Sequence, residues 1–512
     1  MDAFEEITAG YATEGGALEL GSAVVDGAVR AEARVRLPLA TLNRHGLIAG
    51  ATGTGKTKTL QLMAEQLSAA GVPVVMADVK GDLSGLSRPG AGGDKVSKRA
   101  AETGDDWQAA GFPVQFLSLG EGGSAVPVRA TITSFGPILL SKVLGLNDTQ
   151  ESTLGLIFHW ADSRGLPLLD TKDLRSVIQH LSSDEGKEDL KGLGGVSSAT
   201  AGVILRSLLN LEANGGDTFF GEPELDPADL MRSQDGRGVI SLLELSELQG
   251  NPALFSTFLM WLLADLFHQL PEEGDLEKPK LVFFFDEAHL LFADASKAFL
   301  EQIVQTVKLI RSKGVGVFFC TQLPTDVPNS VLSQLGARVQ HALRAFTPDD
   351  QKALAQTVKT YPTTPHYDLG KALTTLGIGE AVVTVLSEQG APTPVAWTRL
   401  RPPRSLMASI GVDAVKQEAA SSALAAKYSQ SVDRESAYEM LLAKVAPPAS
   451  APAPESAPSE ESAPAPRRKE ADDPGLIGQV LGNPAVKSFL RSAGSALGRE
   501  ITRGIFGTGR RR

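Results

Sequence analysis

The chain has 512 residues, of which 42% are hydrophobic and 21% are charged, and its formal net charge is −11. This length predicts more than one lobe, and the acidic balance argues against a surface coated in basic residues for nucleic acid, although a local basic channel remains compatible with it. The single cysteine, Cys320, excludes an intrachain disulfide framework and a cysteine-rich zinc site, and it favours a reducing cytoplasm. The sequence has no apolar run of about 18 residues that would span a bilayer and no signal-peptide pattern.

Residues 1–40 predict a short strand-rich segment, in which Ala31–Leu37 alternates apolar and charged side chains. Residues 41–85 predict a strand, a loop, a helix and a strand. The first strand is Gly46–Ala49, the helix carries apolar residues at helical spacing over Lys56–Ala70, and the second strand is the apolar run Val72–Ala77.

Residues 86–234 predict a mainly helical insertion, after which the alternation of strands and helices resumes over 235–400. Strands are expected at Val239–Leu243, Lys280–Phe285 and Val315–Thr321. Residues 41–85 and 235–400 together therefore predict an α/β core with a mainly parallel sheet.

The C-terminal part has three predicted segments. Residues 401–445 predict a helical extension, and residues 446–470 form a Pro/Ala/Ser/Glu tract that predicts a disordered linker. Residues 471–512 predict a short basic amphipathic helix. This tail could pack on the core, dock on a protein partner or lie on an anionic membrane.

A complete phosphate-binding motif, G-x-x-x-x-G-K-[ST], follows the first core strand. Its glycines let successive backbone N–H groups point at phosphate oxygens, and the next helix directs its positive end at the same anion. Lys56 is predicted to neutralise phosphate charge, and the Thr57 hydroxyl to bind Mg²⁺. The predicted ATP-binding residues are Gly50, Ala51, Thr52, Gly53, Thr54, Gly55, Lys56, Thr57 and Lys58.

Two adjacent carboxylates follow the apolar strand that ends at Phe285. Sheets of this class place ligands at the carboxyl ends of their strands. Asp286 is predicted to hold the Mg²⁺ shell, and Glu287 to act as the general base for the attacking water. The other interpretation is a strand end capped by two solvated acids.

Further polar residues are candidates for the same site. Gln322 follows the next strand, where it could sense the γ-phosphate or orient water. Arg311, Arg338 and Arg344 could each stabilise transition-state charge, from the same chain or from a neighbouring one. The alternative for each arginine is an ordinary surface or ion-paired side chain.

Five blocks of sequence occur in one order between residues 40 and 400, and they resemble the HerA/FtsK superfamily of P-loop ATPases. They are LIAGATGTGKTKTLQ, MADVKGDLSG, LVFFFDEAHLLF, LIRSKGVGVFFCTQ and QLGARVQHALRAFTPDDQKAL. More narrowly, the chain resembles the bacterial YjgR-type proteins, which have a HerA-like helicase C-terminal domain.

The resemblance implies a RecA-like core that assembles as a hexameric ring. It implies that Lys56 and Thr57 are the Walker A residues and that Asp286 and Glu287 are the Walker B pair. It gives Gln322 the role of the polar sensor and Arg311 that of an arginine acting on the neighbouring subunit's ATP. Asp78, at the end of the second core strand, could also face the nucleotide or simply cap the strand.

Residues 1–40 are shorter than the β-barrel domain that precedes the ATPase in HerA, and the linker and tail are foreign to HerA. Two functions therefore stay open. The chain could be a ring-shaped motor that moves DNA, with a pore lined by lysines such as Lys80, Lys142 or Lys191. It could instead be an ATP-driven switch or protein-remodelling ATPase that does not handle nucleic acid.

Overall fold

The computed structural model describes residues 2–190, 194–245, 252–274, 276–293 and 295–445. Residues up to Tyr438 form one compact unit, and a second unit begins at Glu439. The predicted linker 446–470 and the predicted tail 471–512 lie outside the described residues, so both stay predictions.

Strands and helices alternate along most of the described chain. The strands are β1 (Ala17–Val25), β2 (Ala28–Pro38), β3 (Gly46–Ala49), β4 (Val74–Asp78), β5 (Val114–Leu119), β6 (Val126–Val128), β7 (Ser233–Gln234), β8 (Arg237–Gly238), β9 (Ile240–Glu244), β10 (Leu281–Phe285), β11 (Val315–Thr321), β12 (Ala337–Gln340), β13 (Glu380–Thr384) and β14 (Ala396–Leu400).

The helices range from single turns to long core elements. They are α1 (Ala3–Gly10), α2 (Lys56–Ala69), α3 (Asp94–Thr103), α4 (Ile132–Val143), α5 (Asp148–Ser163), α6 (Thr171–Ser182), α7 (Asp184–Asp189), α8 (Ser198–Leu211), α9 (Pro252–Gln269), α10 (His289–Phe292), α11 (Lys297–Ile310), α12 (Asn329–Leu332), α13 (Pro348–Val358), α14 (Leu369–Thr375), α15 (Val412–Ala420), α16 (Ala425–Tyr428) and α17 (Ala437–Val445).

One 12-stranded sheet organises the compact unit, in the order β2-β1-β14-β13-β12-β3-β11-β10-β4-β9-β5-β6. The eight strands from β12 to β6 in this order are parallel. The remaining strands, from β13 to β2, pair antiparallel. The predicted mainly parallel α/β sheet is therefore confirmed, with an antiparallel extension at one end.

The central strands are apolar because both faces of the sheet are covered. All five residues of β10 and all seven of β11 are buried. Helix α2 contributes Leu60, Met63 and Leu67, each at most 1% exposed, and these are the residues that the helical spacing picks out. Strands covered on both faces have continuous apolar runs, which explains why these elements were visible in the sequence.

The segment 86–234 differs in one respect from the predicted mainly helical insertion. Helices make up most of its regular structure, but β5 and β6 add two parallel strands to the central sheet beside β9. Its backbone is therefore continuous with the hydrogen-bonded core. The N-terminal segment likewise joins the sheet, because β1 pairs with both β2 and β14.

The predicted helical extension 401–445 is helical only in part. The segment between β14 and α15 contains no helix, and it is fastened to α2 through the Glu65 carboxylate. That carboxylate accepts backbone N–H bonds from Arg404 at 2.8 Å and Ser405 at 3.1 Å, and it also accepts the Ser405 hydroxyl at 3.0 Å. Burial raises the pKa of Glu65 to about 7.

Within the described residues, no helix is both long enough and apolar enough to cross a membrane.

We expect the Glu65 contact to make stability depend on pH. A carboxyl whose pKa is higher in the folded chain binds more protons there, so the stability it contributes falls as pH rises from about 4.5 to about 7. Urea unfolding should show that the free energy of unfolding falls less between pH 5 and pH 8 for Glu65→Gln than for the wild type. The exposed Glu301→Gln variant is the control. An equal change in the free energy of unfolding between pH 5 and pH 8 in all three proteins would contradict this interpretation.

Candidate functional site

The loop Gly50–Thr57 joins the end of β3 to the start of α2, and its glycines have backbone angles that other residues rarely adopt. Gly50 has φ of +151°, Gly53 of +81° and Gly55 of +119°. A Cβ atom on Gly50 would also lie 2.5 Å from Cβ of His341. The loop therefore needs glycine for both its backbone angles and its close packing.

Two neighbouring strands hold the first half of the loop. The Gly50 N–H faces the carbonyl oxygens of Thr321 at 3.2 Å and Gln322 at 3.1 Å, at the end of β11. The Ala51 N–H donates to the carbonyl of Ala342 at 2.9 Å, just beyond β12. The loop is thus bonded on both sides of β3.

The second half of the loop has its own contacts. The Thr54 hydroxyl donates to the Ala51 carbonyl at 2.7 Å, and the Thr54 carbonyl accepts the Gly379 N–H at 3.1 Å. Arg344 donates from Nη2 to the Thr52 carbonyl at 3.3 Å. Of the three candidate arginines, Arg344 is therefore the one that contacts the loop of its own chain.

Lys56 folds back over the loop. Its Nζ lies 2.6 Å from the Gly50 carbonyl oxygen and 3.3 Å from that of Ala51. Thr57 is the second residue of α2 and is partly exposed at the N-terminus of the helix. Both side chains lie where the free backbone N–H groups and the helix dipole favour an anion.

Lys58 points to a different set of partners. Its Nζ donates to Oε1 of Gln61 at 3.1 Å. Burial lowers the pKa of Lys58, and the charges of Asp82 and Asp78 oppose that shift. The side chain is therefore engaged away from the loop, and its predicted part in ATP binding stays a prediction.

His341 lies against the loop in the core, and the sequence analysis predicted no role for it. It is fully buried, and its Nε2 lies 2.9 Å from the Thr59 hydroxyl on α2. Burial, followed by the charge of Lys56, lowers the pKa of His341 to about 4. A neutral imidazole therefore supports the loop from beneath. Its position directly after β12 at the tip of the strand is the signal that could have revealed it.

Asp286 and Glu287 follow β10, which is separated from β3 by β11 alone. With strands spaced ~4.8 Å apart, the two carboxylates lie on the order of 10 Å from the end of β3 along the same edge of the sheet. Burial, followed by the charge of Glu287, raises the pKa of Asp286 to about 6.

Glu287 has an unusual backbone. Its φ is +48°, and its N–H donates to Oδ1 of Asp286 at 2.9 Å. Its carboxylate lies between two basic groups: Oε1 is 3.5 Å from Nζ of Lys80, and Oε2 is 3.4 Å from Nδ1 of His289. A left-handed backbone at a residue other than glycine is typical of sites where position matters more than local stability.

The Asp78 carboxylate caps its own loop. It accepts backbone N–H bonds from Lys80 at 3.2 Å, Gly81 at 2.7 Å, Asp82 at 3.2 Å and Leu83 at 2.8 Å. Asp78 is 1% exposed. The strand-cap interpretation therefore describes Asp78, and the side chain that its loop presents to the site is Lys80.

Gln322 and Arg311 lie at opposite ends of β11. Gln322 is exposed at the carboxyl end, between β3 and β10, and its predicted role as a polar sensor stays a prediction. Arg311 is exposed in a single helical turn before the strand begins. A seven-residue strand separates them, which is ~20 Å at 3.3 Å per residue. Arg311 therefore does not meet the loop of its own chain.

Arg338 has a structural environment. Its guanidinium lies over the Tyr361 ring at 6.0 Å, and Nη2 donates to the Leu332 carbonyl at 3.3 Å. Burial lowers the pKa of Arg338. The structure does not bring this arginine to the loop.

The oxygen atoms at this edge of the sheet suit a metal ion that takes most of its ligands from a bound phosphate and water. Among the described residues, no group of three or more His, Cys, Asp or Glu side chains could hold a metal by itself. Mg²⁺ is commonly bound by one or two protein oxygens together with substrate phosphates and water. The Thr57 hydroxyl and the Asp286 carboxylate have this chemistry and fit such an ion. Their role as Mg²⁺ ligands stays a prediction.

Solved structures resemble the chain at low sequence identity. The bacterial conjugative coupling protein TrwBΔN70 is 14% identical with a TM-score of 0.51, over 80% of this chain and 95% of that one. Plasmid coupling protein TrwB in complex with ADP and Mg²⁺ is 15% identical with a TM-score of 0.50, over 77% and 98%. VirB4 of Thermoanaerobacter pseudethanolicus is 14% identical with a TM-score of 0.49, over 76% and 97%.

The match to TrwB confirms the predicted RecA-like fold. No curated protein matches the sequence. The family model described as "Helicase HerA-like C-terminal" matches residues 25–512. It does not test the narrower resemblance to YjgR-type proteins, which stays a prediction. The match extends over nearly the whole sequence, and the chain therefore belongs to the HerA-like helicase C-terminal family.

Proposed function

We propose that the chain hydrolyses ATP at the carboxyl edge of its parallel sheet. The observation that carries this proposal is the convergence of two distant stretches at that edge. The loop Gly50–Thr57 follows β3, and the Asp286–Glu287 pair follows β10, with β11 alone between them. This spacing suits a triphosphate that is held at one end and attacked at the other.

Each residue has one task in the proposed reaction. The loop N–H groups and Lys56 bind the phosphate oxygens. To reach them, the Lys56 ammonium leaves the carbonyl oxygens of Gly50 and Ala51. Glu287 takes a proton from a water molecule as the water oxygen bonds to the γ-phosphorus. The bond from that phosphorus to the bridging oxygen breaks, and its electron pair leaves with ADP. Gln322 would orient the water in this reaction.

Thr57 and Asp286 would hold Mg²⁺ beside the phosphates. When bound, the ion neutralises phosphate charge. Proximity to such a cation would favour the charged form of Asp286, whose pKa burial and Glu287 raise to about 6.

We expect Lys56→Ala to abolish turnover and Glu287→Gln to reduce it severely, for different reasons. Lys56→Ala should lose ATP binding because the phosphate loses its main countercharge. Glu287→Gln should keep ATP binding but lower the hydrolysis rate by roughly 100-fold or more, since the base is gone. Phosphate release and fluorescent-nucleotide binding measure the two effects.

The exposed substitutions Lys352→Ala and Glu301→Gln are matched controls that should behave as the wild type. Normal turnover in either site variant would contradict the assigned roles.

We also propose that copies of the chain form a ring, as a hexamer, with Arg311 acting on the site of the neighbouring copy. Arg311 is exposed at the sheet edge opposite its own loop, so it can only meet the loop of another copy. Large apolar side chains are also exposed near the site: Phe346 is 84% exposed, and Ile378, which precedes a residue bonded to the loop, is 75% exposed. A neighbouring copy would cover such surface.

Mixing two impaired variants tests the ring. Arg311→Ala alone should lower ATPase activity by roughly tenfold or more while ATP binding is retained. Mixed with Lys56→Ala, it should recover part of the activity, because some interfaces then combine an intact loop with an intact arginine. A mass measurement with nucleotide reports assembly. Unchanged activity of Arg311→Ala, or a single copy under assay conditions, would rule out this role.

DNA is the proposed substrate of the motor, supported by the HerA-like family membership. Lys80 lies beside Glu287, the Lys142 ammonium donates to the Ala293 carbonyl, and Lys191 lies outside the described residues.

We expect double- or single-stranded DNA to raise the ATPase rate at least severalfold at low salt, and the stimulation to fall as salt increases. A rate indifferent to both kinds of DNA would favour the switch or protein-remodelling ATPase. Lys56→Ala controls for contaminating ATPases.

A further inference from the structure

Among the described residues, Lys80 is the one lysine or arginine that pairs with the Glu287 carboxylate. Its Oε1 lies 3.5 Å from Nζ of Lys80, and its side chain is 17% exposed. Its Oε2 lies 3.4 Å from Nδ1 of His289, but neither of these two atoms has a hydrogen-bond partner. The ion pair with Lys80 thus brings a lysine ammonium to this carboxylate.

Lys80 comes from a loop whose backbone is fixed at its start. The four N–H groups of residues 80–83 all point at the Asp78 carboxylate, at distances from 2.7 to 3.2 Å. Such a loop gives a long side chain a rigid base, so the position of the ammonium is limited by the side chain's own torsions.

The end of the same loop is fastened to the segment after β14. The Ser84 hydroxyl lies 3.2 Å from that of Ser409 and accepts the Ile410 N–H at 3.1 Å. A Cβ atom on Gly85 would lie 2.1 Å from the Leu406 carbonyl oxygen, so the two backbones are in close contact. The loop is therefore held at both ends while the Lys80 side chain, 53% exposed, extends between them.

The charges around the site explain why a cation is needed there. Asp286 and Glu287 are adjacent carboxylates at one strand end, and two like charges this close repel each other. A flexible glutamate beside such a neighbour would turn away toward solvent unless something opposes it. Lys56 is bonded to the loop carbonyls, which leaves Lys80 as the cation paired with Glu287.

We propose that Lys80 is a positioning residue for hydrolysis: its ammonium holds the Glu287 carboxylate where it takes the proton from the attacking water. The inference rests on the proposed ATP hydrolysis at this site. Lys80 acts through Glu287, so its loss should slow the chemical step and leave nucleotide binding intact.

The test measures kcat and nucleotide affinity for Lys80→Ala, Lys80→Met and Lys80→Arg in the full chain. We expect Lys80→Ala and Lys80→Met to lower kcat by roughly tenfold or more, with Kd for ATP and ADP changed less than about twofold. Lys80→Met keeps the apolar stem, so agreement between the two separates charge from packing. Lys80→Arg should recover most of the rate, and the exposed Lys352→Ala should match the wild type.

A double variant tests whether Lys80 acts through Glu287. In single-turnover assays, Lys80→Ala combined with Glu287→Gln should be no slower than Glu287→Gln alone, because the group that Lys80 positions is already lost. A further loss in the double variant, or weaker binding of ATP than of ADP in Lys80→Ala, would make Lys80 a phosphate ligand and overturn the inference.

Failure of the inference and failure of the proposed function are distinguishable. A wild-type chain that hydrolyses ATP, with Lys80→Ala equally fast, overturns the role of Lys80 alone. A wild-type chain that binds ATP and never hydrolyses it, with or without DNA, overturns the proposed function. Melting curves from circular dichroism show whether each variant is folded.

Discussion

The parallel pairing of β3, β11 and β10 is the constraint on which the site depends. Parallel strands end at one edge, so their following residues meet there even though more than 200 residues separate Thr57 from Asp286. The register aligns Ala49 with Thr321 and Phe285 with Phe319. A shift of this register would move the carboxylates along the sheet relative to the loop.

The structure around this edge is rigid because each loop is bonded to its neighbours. The loop Gly50–Thr57 is held by backbone bonds to the ends of β11 and β12, and His341 fills the space beneath it. Helix α2 is in turn fastened through Glu65 to the chain after β14. Preorganised donors are what a phosphate site requires, since they need no rearrangement at the moment of reaction.

The sequence predicted the parts of the fold whose pattern is local. Buried parallel strands such as β10 are continuous apolar runs, and the loop motif is a contiguous string of residues. The predicted bounds of both therefore lie within a few residues of the observed bounds. Strand β5, Val114–Leu119, was missed because the polar residues Gln115 and Ser118 interrupt its apolar run, although both side chains are buried. The sequence suggested Lys80 only as a candidate pore lysine and assigned His341 no role, because their contacts with Glu287 and Thr59 join residues that are far apart in the chain.

A structure of the Glu287→Gln chain with ATP and Mg²⁺ bound tests the proposed site most directly. It should show Lys56 in contact with the phosphates and Asp286 beside the Mg²⁺ ion. The side chain at position 287 should face a water in line with the γ-phosphate. Side chains at 286 and 287 turned away from the γ-phosphate, with the nucleotide in the loop, would contradict hydrolysis at this edge.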